Sequence, residues 1–158
     1  MLDIPSISAV VAAVGVTVGV VYTVLQLRDL VRTRQTDLVL RSYSTFDSLE
    51  FLEAWHKIFW MPEPKDYDDF VEKLGGKRHI AAFVILFYEQ VSILLRRKLI
   101  DIGLVDDLLS DSLKLTWEKV RTPMMEVRKR GIYPRAYENF EYLYNEMKKR
   151  EQQLPKTQ

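Results

Sequence analysis

Few side chains in this chain are arranged for chemistry, and the most suggestive is Glu89. It interrupts an apolar run between Ile80 and Leu95. A carboxylate in apolar surroundings is a candidate acid or base. It is also a candidate for pairing, and Arg96 and Arg97 follow on the same stretch. Catalysis needs a constellation, and no His, Cys or Ser set accompanies Glu89. Glu89, Arg96 and Arg97 are therefore marked as a candidate polar core site, and no residue is assigned as catalytic. A second pattern, Glu53-Ala-Trp-His56, has the Glu-x-x-His spacing of carboxylate-bridged metal bundles, which need two such units and two further Glu residues. The other histidine, His79, has Gly76 at the required spacing. The set is incomplete, so neither metal nor cofactor is expected. Gly75-Gly76 lacks the strand and spacing of a phosphate-binding loop. There is no Cys, which excludes disulfides, thiolate metal sites and Cys nucleophiles. The net charge of +1 offers no strongly basic face for nucleic acid. Two runs of cations, Arg96 to Lys98 and Arg128 to Arg130, suit solvated helix ends or, if turned to a bilayer, anionic lipid heads.

The elements that must position these residues divide sharply. Of the 158 residues, none between Asp3 and Arg28 is charged. The segment from Ile4 to Leu27 reads IPSISAVVAAVGVTVGVVYTVLQL, long enough for the roughly 20 apolar residues a bilayer demands. Gly15, Gly19 and the β-branched valines weaken a helix in water. In lipid the backbone must satisfy itself, and helix prevails. A cleaved signal peptide fits less well, because the run is long and Met1-Leu2-Asp3 has no basic residue. Arg28, Arg32, Arg34 and Arg41 follow the span and none precedes it, which predicts a single-pass protein of the inner cell membrane, N-terminus outside and C-terminal domain cytoplasmic. Ser8, Ala12, Gly15 and Gly19 fall on one helix face and form a candidate helix-packing face.

Downstream, residues 28–37 form a polar stalk, either continuous with the span or broken near Thr36-Asp37, where Asp37 can cap a new helix. Leu38, Ser42, Thr45, Leu49, Leu52, His56 and Phe59 keep helical spacing up to Met61-Pro62-Glu63-Pro64. A short acidic helix over Tyr67–Leu74 closes at Gly75-Gly76. The apolar stretch from Ile80 to Leu95 is too short and too charged, at Glu89, to be a second span, and reads as the central core helix. After a turn over Ile100–Gly103, a helix is expected from Leu104 to Arg121, with Val105, Leu108, Leu109, Leu113, Trp117 and Val120 on one face and Pro123 as a break or kink. Tyr133-Pro134 starts the last helix, with Tyr137, Phe140, Tyr144 and Met147 recurring along it. The polar tail from Lys148 is expected to fray. The expected fold is all-α: one N-terminal transmembrane helix (residues 1–27), the stalk, then a four- to five-helix soluble bundle (residues 38–150) whose short loops make neighbours antiparallel, and a flexible tail (residues 151–158).

The layout resembles a family of small single-pass prokaryotic membrane proteins catalogued only as a domain of unknown function. The likeness rests on the span ending Tyr22-Thr-Val-Leu-Gln-Leu-Arg28, on Phe87-Tyr88-Glu89, on Arg96-Arg97-Lys98-Leu-Ile-Asp101 and on the helix bearing Trp117. It implies an anchored cytoplasmic helical domain and supplies no activity. The expected function is a membrane-anchored interaction or regulatory module, in contact with membrane lipid and binding a protein partner or its own copies. The alternatives are a membrane-bound enzyme using Glu89 with Arg96 or Arg97, and a pore subunit lined by Ser6, Ser8, Thr17, Thr23 and Gln26.

Overall fold

The computed structural model describes residues 4–131 and 133–153, with side chains from Ala12 onward. Among these residues there is no strand, and the elements are six helices: α1 Ile4–Phe46, α2 Leu49–Trp60, α3 Tyr67–Lys73, α4 Arg78–Arg96, α5 Ile102–Lys129 and α6 Glu138–Gln153. The chain divides into two compact units, Met1–Asp37 and Leu38–Gln158.

The first unit is a single helical segment. Every side chain from Ala12 to Arg34 is exposed. Its hydroxyls turn inward along the helix: Thr17 donates to the Ala13 carbonyl at 2.9 Å and Thr23 to the Gly19 carbonyl at 2.8 Å. Of the two readings of the stalk, the continuous one holds: there is no break near Thr36-Asp37, and α1 runs on to Phe46. Thr36 donates back to the Arg32 carbonyl at 3.0 Å, as helix-interior threonines do. The helix ends instead at Asp47-Ser48, where the Ser48 hydroxyl accepts from the Phe51 N–H at 3.2 Å and starts α2.

In the second unit the closest helix pairs are α4 with α6 and α2, and α5 with α6, α3 and α2. The helices α4 and α5, adjacent in sequence, therefore face each other across the bundle instead of side by side. Between them lies an aromatic core. The Phe140 ring stacks on Tyr88 at 4.7 Å and meets Trp117 edge-on at 4.9 Å, while Phe51 meets Phe87 edge-on at 4.8 Å. Trp117, Tyr88, Phe51 and Phe140 are among the largest fully buried side chains. Such rings exclude the most water per residue and dominate the energetics of a small core.

Three boundaries differ from the sequence expectation. Helix α5 starts two residues earlier than expected, at Ile102, because the Asp101 carboxylate accepts from the Gly103 N–H at 2.7 Å. A Cβ at Gly103 would come within 2.8 Å of that carboxylate oxygen, so the cap needs glycine there. The same helix passes through Pro123, which is buried, and continues to Lys129. A proline deletes one helical hydrogen bond, but packing on the core holds the turn. Helix α6 starts at Glu138, leaving Pro134 in the preceding turn, and extends to Gln153. The rest of the expected tail, residues 154–158, lies outside the described residues.

Helix α4 closes in a Schellman turn: the Leu99 N–H bonds the Leu94 carbonyl and the Lys98 N–H bonds the Leu95 carbonyl, both at 2.9 Å. The residue in the left-handed position is Lys98, with φ 57°, where glycine carries no Cβ penalty. Lys98 is exposed. Substituting Lys98→Gly is expected to raise stability by about 0.5–1 kcal/mol, read as a higher urea midpoint with an unchanged slope.

Candidate functional site

On α4 the buried positions Ile85, Tyr88 and Ser92 point into the bundle, while Leu86 and Ile93 face outward. Glu89 sits on the border between these faces and is half-buried. That placement lets its carboxylate reach the start of α6. Oε1 accepts from the Phe140 N–H at 3.0 Å and Oε2 accepts from the Asn139 side-chain amide at 2.8 Å. The first N–H groups of a helix have no partner within it. Glu89, a residue of a different helix, supplies an acceptor for α6 where its positive dipole end favours a negative charge.

Of the three residues in the candidate polar site, Arg96 joins this network indirectly. Its Nη1 donates to Asn139 Oδ1 at 2.6 Å, and its guanidinium lies 5.2 Å from the Tyr142 ring. Arg96 and Arg97 are both exposed, and Arg97 joins no contact with Glu89. Asn139, the link between Glu89 and Arg96, was invisible as a site residue in the sequence. It stands in the first turn of α6, and only the position of that helix against α4 gives it a role.

The turn ahead of α6 is held from α5. Arg128 Nε donates to the Ala136 carbonyl at 2.6 Å and Nη1 to Glu141 at 2.5 Å, while its buried Nη2 has no hydrogen-bond partner among the described residues. Arg130, two residues on, pairs with Asp68 at 2.7 Å and with Glu126 at 2.9 Å. The Arg128–Arg130 run thus ties α5 to α6 and α3. Glu126 accepts from the Tyr67 N–H at 2.6 Å, a second carboxylate serving the start of another helix. That bond, and then Arg130, hold the Glu126 carboxyl below its ordinary value. At the end of the turn, Tyr137 has φ 58°, a left-handed conformation that is strained for a side chain of this size. Leu86, Glu89, Tyr133, Pro134, Arg135, Ala136 and Tyr137 line an open groove of about 680 Å³.

A second polar group is internal. Trp55 Nε1 donates to the Thr116 hydroxyl at 2.8 Å, and Thr116 donates to the Ser112 carbonyl at 2.6 Å. The Tyr88 hydroxyl lies against Ser112 and Thr116; burial pushes its pKa up to about 12, and those two hydroxyls pull it the other way. Glu53 and His56 are exposed on α2, and among the described residues no group of three His, Cys, Asp or Glu side chains is placed to hold a metal. On α1, Ala12, Gly15 and Gly19 are exposed, and the Ser8 side chain lies outside the described residues.

Residues 9–147 match the family model described as "Domain of unknown function (DUF4760)". The chain belongs to the DUF4760 family. No curated protein and no solved structure matches it. The DUF4760 match takes in Glu89, Asn139, Phe140 and the whole aromatic core. The family description assigns no activity, as the resemblance drawn from the sequence implied.

Removing the Glu89 carboxylate leaves the Phe140 N–H without its acceptor. Glu89→Ala is expected to lower stability by about 1–2 kcal/mol, while Glu89→Gln, which keeps an acceptor oxygen, loses less. Thermal unfolding of the two variants checks the order.

Proposed function

We propose that this DUF4760 protein is a membrane-anchored helical module that presents its second unit at the inner membrane face, where it binds a protein partner or its own copies. The observation that carries the reading is the exposure of the apolar side chains of α1, with Val16 at 67% and Val18 at 62%. Among the described residues two helices are long and apolar enough to cross a membrane, one within Ala12–Phe46 and the other Arg78–Arg96. The apolar window of the second is 44% buried and serves the bundle core; that of the first is 0% buried. So large an unpartnered apolar surface is costly in water and favourable in lipid.

Two further features support the anchor. The 24 residues from Ile4 to Leu27 span about 36 Å as a helix, against about 30 Å of hydrocarbon. The Thr17 and Thr23 hydroxyls donate back to their own helix, so neither carries an unsatisfied donor into lipid. The arginines that follow the span favour a cytoplasmic C-terminal unit. Alkaline extraction of native membranes tests the anchor, with intact-mass analysis of the retained protein. The full-length chain is expected in the membrane pellet with its N-terminus uncleaved. Release into the aqueous fraction, or a mature chain lacking this segment, would sink the reading.

For self-association, the face of Ser8, Ala12, Gly15 and Gly19 is the part of the anchor suited to close helix approach. A Cβ at Gly15 or Gly19 would meet nothing within 4 Å, so contacts within the chain do not require glycine at either position. The double substitution Gly15→Ile, Gly19→Ile is expected to weaken crosslinked oligomers in membranes at least severalfold while leaving membrane retention unchanged. Equal crosslinking would remove this face from the interface.

A further inference from the structure

We propose that the groove beside α4 binds a soluble organic cation, an ammonium or guanidinium group on an apolar body, with Glu89 as its counter-charge. This inference goes beyond the anchoring role and does not rest on it. The groove, about 680 Å³, is within the roughly 300–1,000 Å³ of small-molecule sites. Most of its lining is apolar or aromatic: Leu86, Pro134, Ala136, Tyr133 and Tyr137. The charged lining residues are Glu89 and Arg135, and Arg135 is paired with Glu138 of α6.

That carboxylate is short of positive charge. Its donors, the Asn139 amide and the Phe140 N–H, are both neutral, and a carboxylate can accept about four hydrogen bonds. The cations around it are committed elsewhere. Arg135 pairs with Glu138, Arg128 with Glu141, and Arg96 donates to Asn139. A half-buried carboxylate ordinarily has a cationic partner, because apolar surroundings penalise lone charge. An entering ammonium would complete the set, and tyrosine rings beside it attract cations through their π-faces. Tyr133 is 66% exposed, an aromatic ring left available at the groove.

The backbone supplies an independent sign. Tyr137 lines the same groove in a left-handed conformation, φ 58°. Strain of this kind persists where surrounding contacts impose it, and it gathers at ligand clamps. Here the contacts are the bonds of Arg128 to Ala136 and of the Glu141 N–H to the Tyr137 carbonyl, the latter at 3.2 Å. Tyr137 is also close enough to feel Glu89. Burial first, then Tyr67, Glu89 and Tyr133, hold its phenol above the ordinary value.

The test is titration calorimetry on the full-length protein in a nonionic detergent. Phenethylammonium is the probe and 2-phenylethanol its neutral counterpart of similar size. The expected result is saturable binding of the cation and at least about tenfold weaker binding of the alcohol, the order of one charged hydrogen bond. Glu89→Gln keeps an acceptor for the Phe140 N–H but removes the charge, and should weaken the cation by a similar factor. Tyr133→Ala alters an exposed ring, preserves the core, and should weaken it severalfold. Equal affinity for cation and alcohol, binding indifferent to both substitutions, or no binding at millimolar probe would each overturn the proposal.

Discussion

The bundle depends on carboxylates of long helices that meet the starts of short ones. A helix of 7 residues such as α3, or one of 16 such as α6, has a large share of its backbone in unpaired end groups. Glu126 serves the first N–H of α3, and Glu89 serves Phe140 near the start of α6. The second contact does more than cap. The residue whose N–H is held is the residue whose ring stacks on Tyr88 and meets Trp117. Fixing that N–H fixes the depth and rotation of α6, and the aromatic core closes around the result. Arg128 approaches from the other side and secures the turn before α6 through Ala136 and Glu141. The start of α6 is thereby determined by α4 and α5 together.

The anchor role proposed for α1 rests on how its side chains are exposed. Mean hydropathy alone does not separate α1 from α4, which are equal in it, and it is the shorter apolar run and Glu89 that mark α4 as a core helix. Burial separates them. The apolar face of α4 has partners on α2 and α6, and one carboxylate on its border is used to hold a neighbour. The segment of α1 from Ala12 to Arg34 has none of its side chains covered. Its polar atoms are also handled differently. In the bundle, Thr116 accepts from Trp55 and bridges two helices; in α1, Thr17 and Thr23 bond only their own backbone. Hydroxyls that bond back to their own helix are the form that the proposed lipid setting favours.

Much of this fold was legible because apolar periodicity reports burial directly. Val105, Leu109, Leu113, Trp117 and Val120 are buried as their spacing predicts, while Leu108, placed on the same face, is exposed, and Gly75 ends α3 with φ 64°. The errors lie where local signals compete. Helical spacing runs straight through from Leu38 to Phe59 in the sequence, but the chain turns at Asp47-Ser48, where Phe46 packs against Phe51 and Phe87. Pro134 reads as a helix start, yet the helix waits for Glu138, where Glu89 provides the acceptor. The site was half legible. Glu89 stood out as a charge in an apolar run, but its partners were expected at Arg96 or Arg97 on its own helix. They came from Asn139 and Phe140, some 50 residues away in sequence. Sequence spacing reveals neighbours within one helix and is silent about contacts between helices.

Those contacts also decide what Glu89 can do. Both oxygens of Glu89 are engaged by α6, which fixes the orientation of its carboxylate. The counter-charge role proposed for it benefits from being fixed in place before a ligand arrives, since preorganisation lowers the entropic cost of binding. Its donors are neutral and immobile, its surroundings are apolar, and its remaining acceptor capacity opens on a groove whose far wall is the strained turn at Tyr137. The carboxylate that organises the start of α6 is thus the one proposed to meet a ligand's charge, and substitutions that separate the two roles must change its charge while preserving its oxygen.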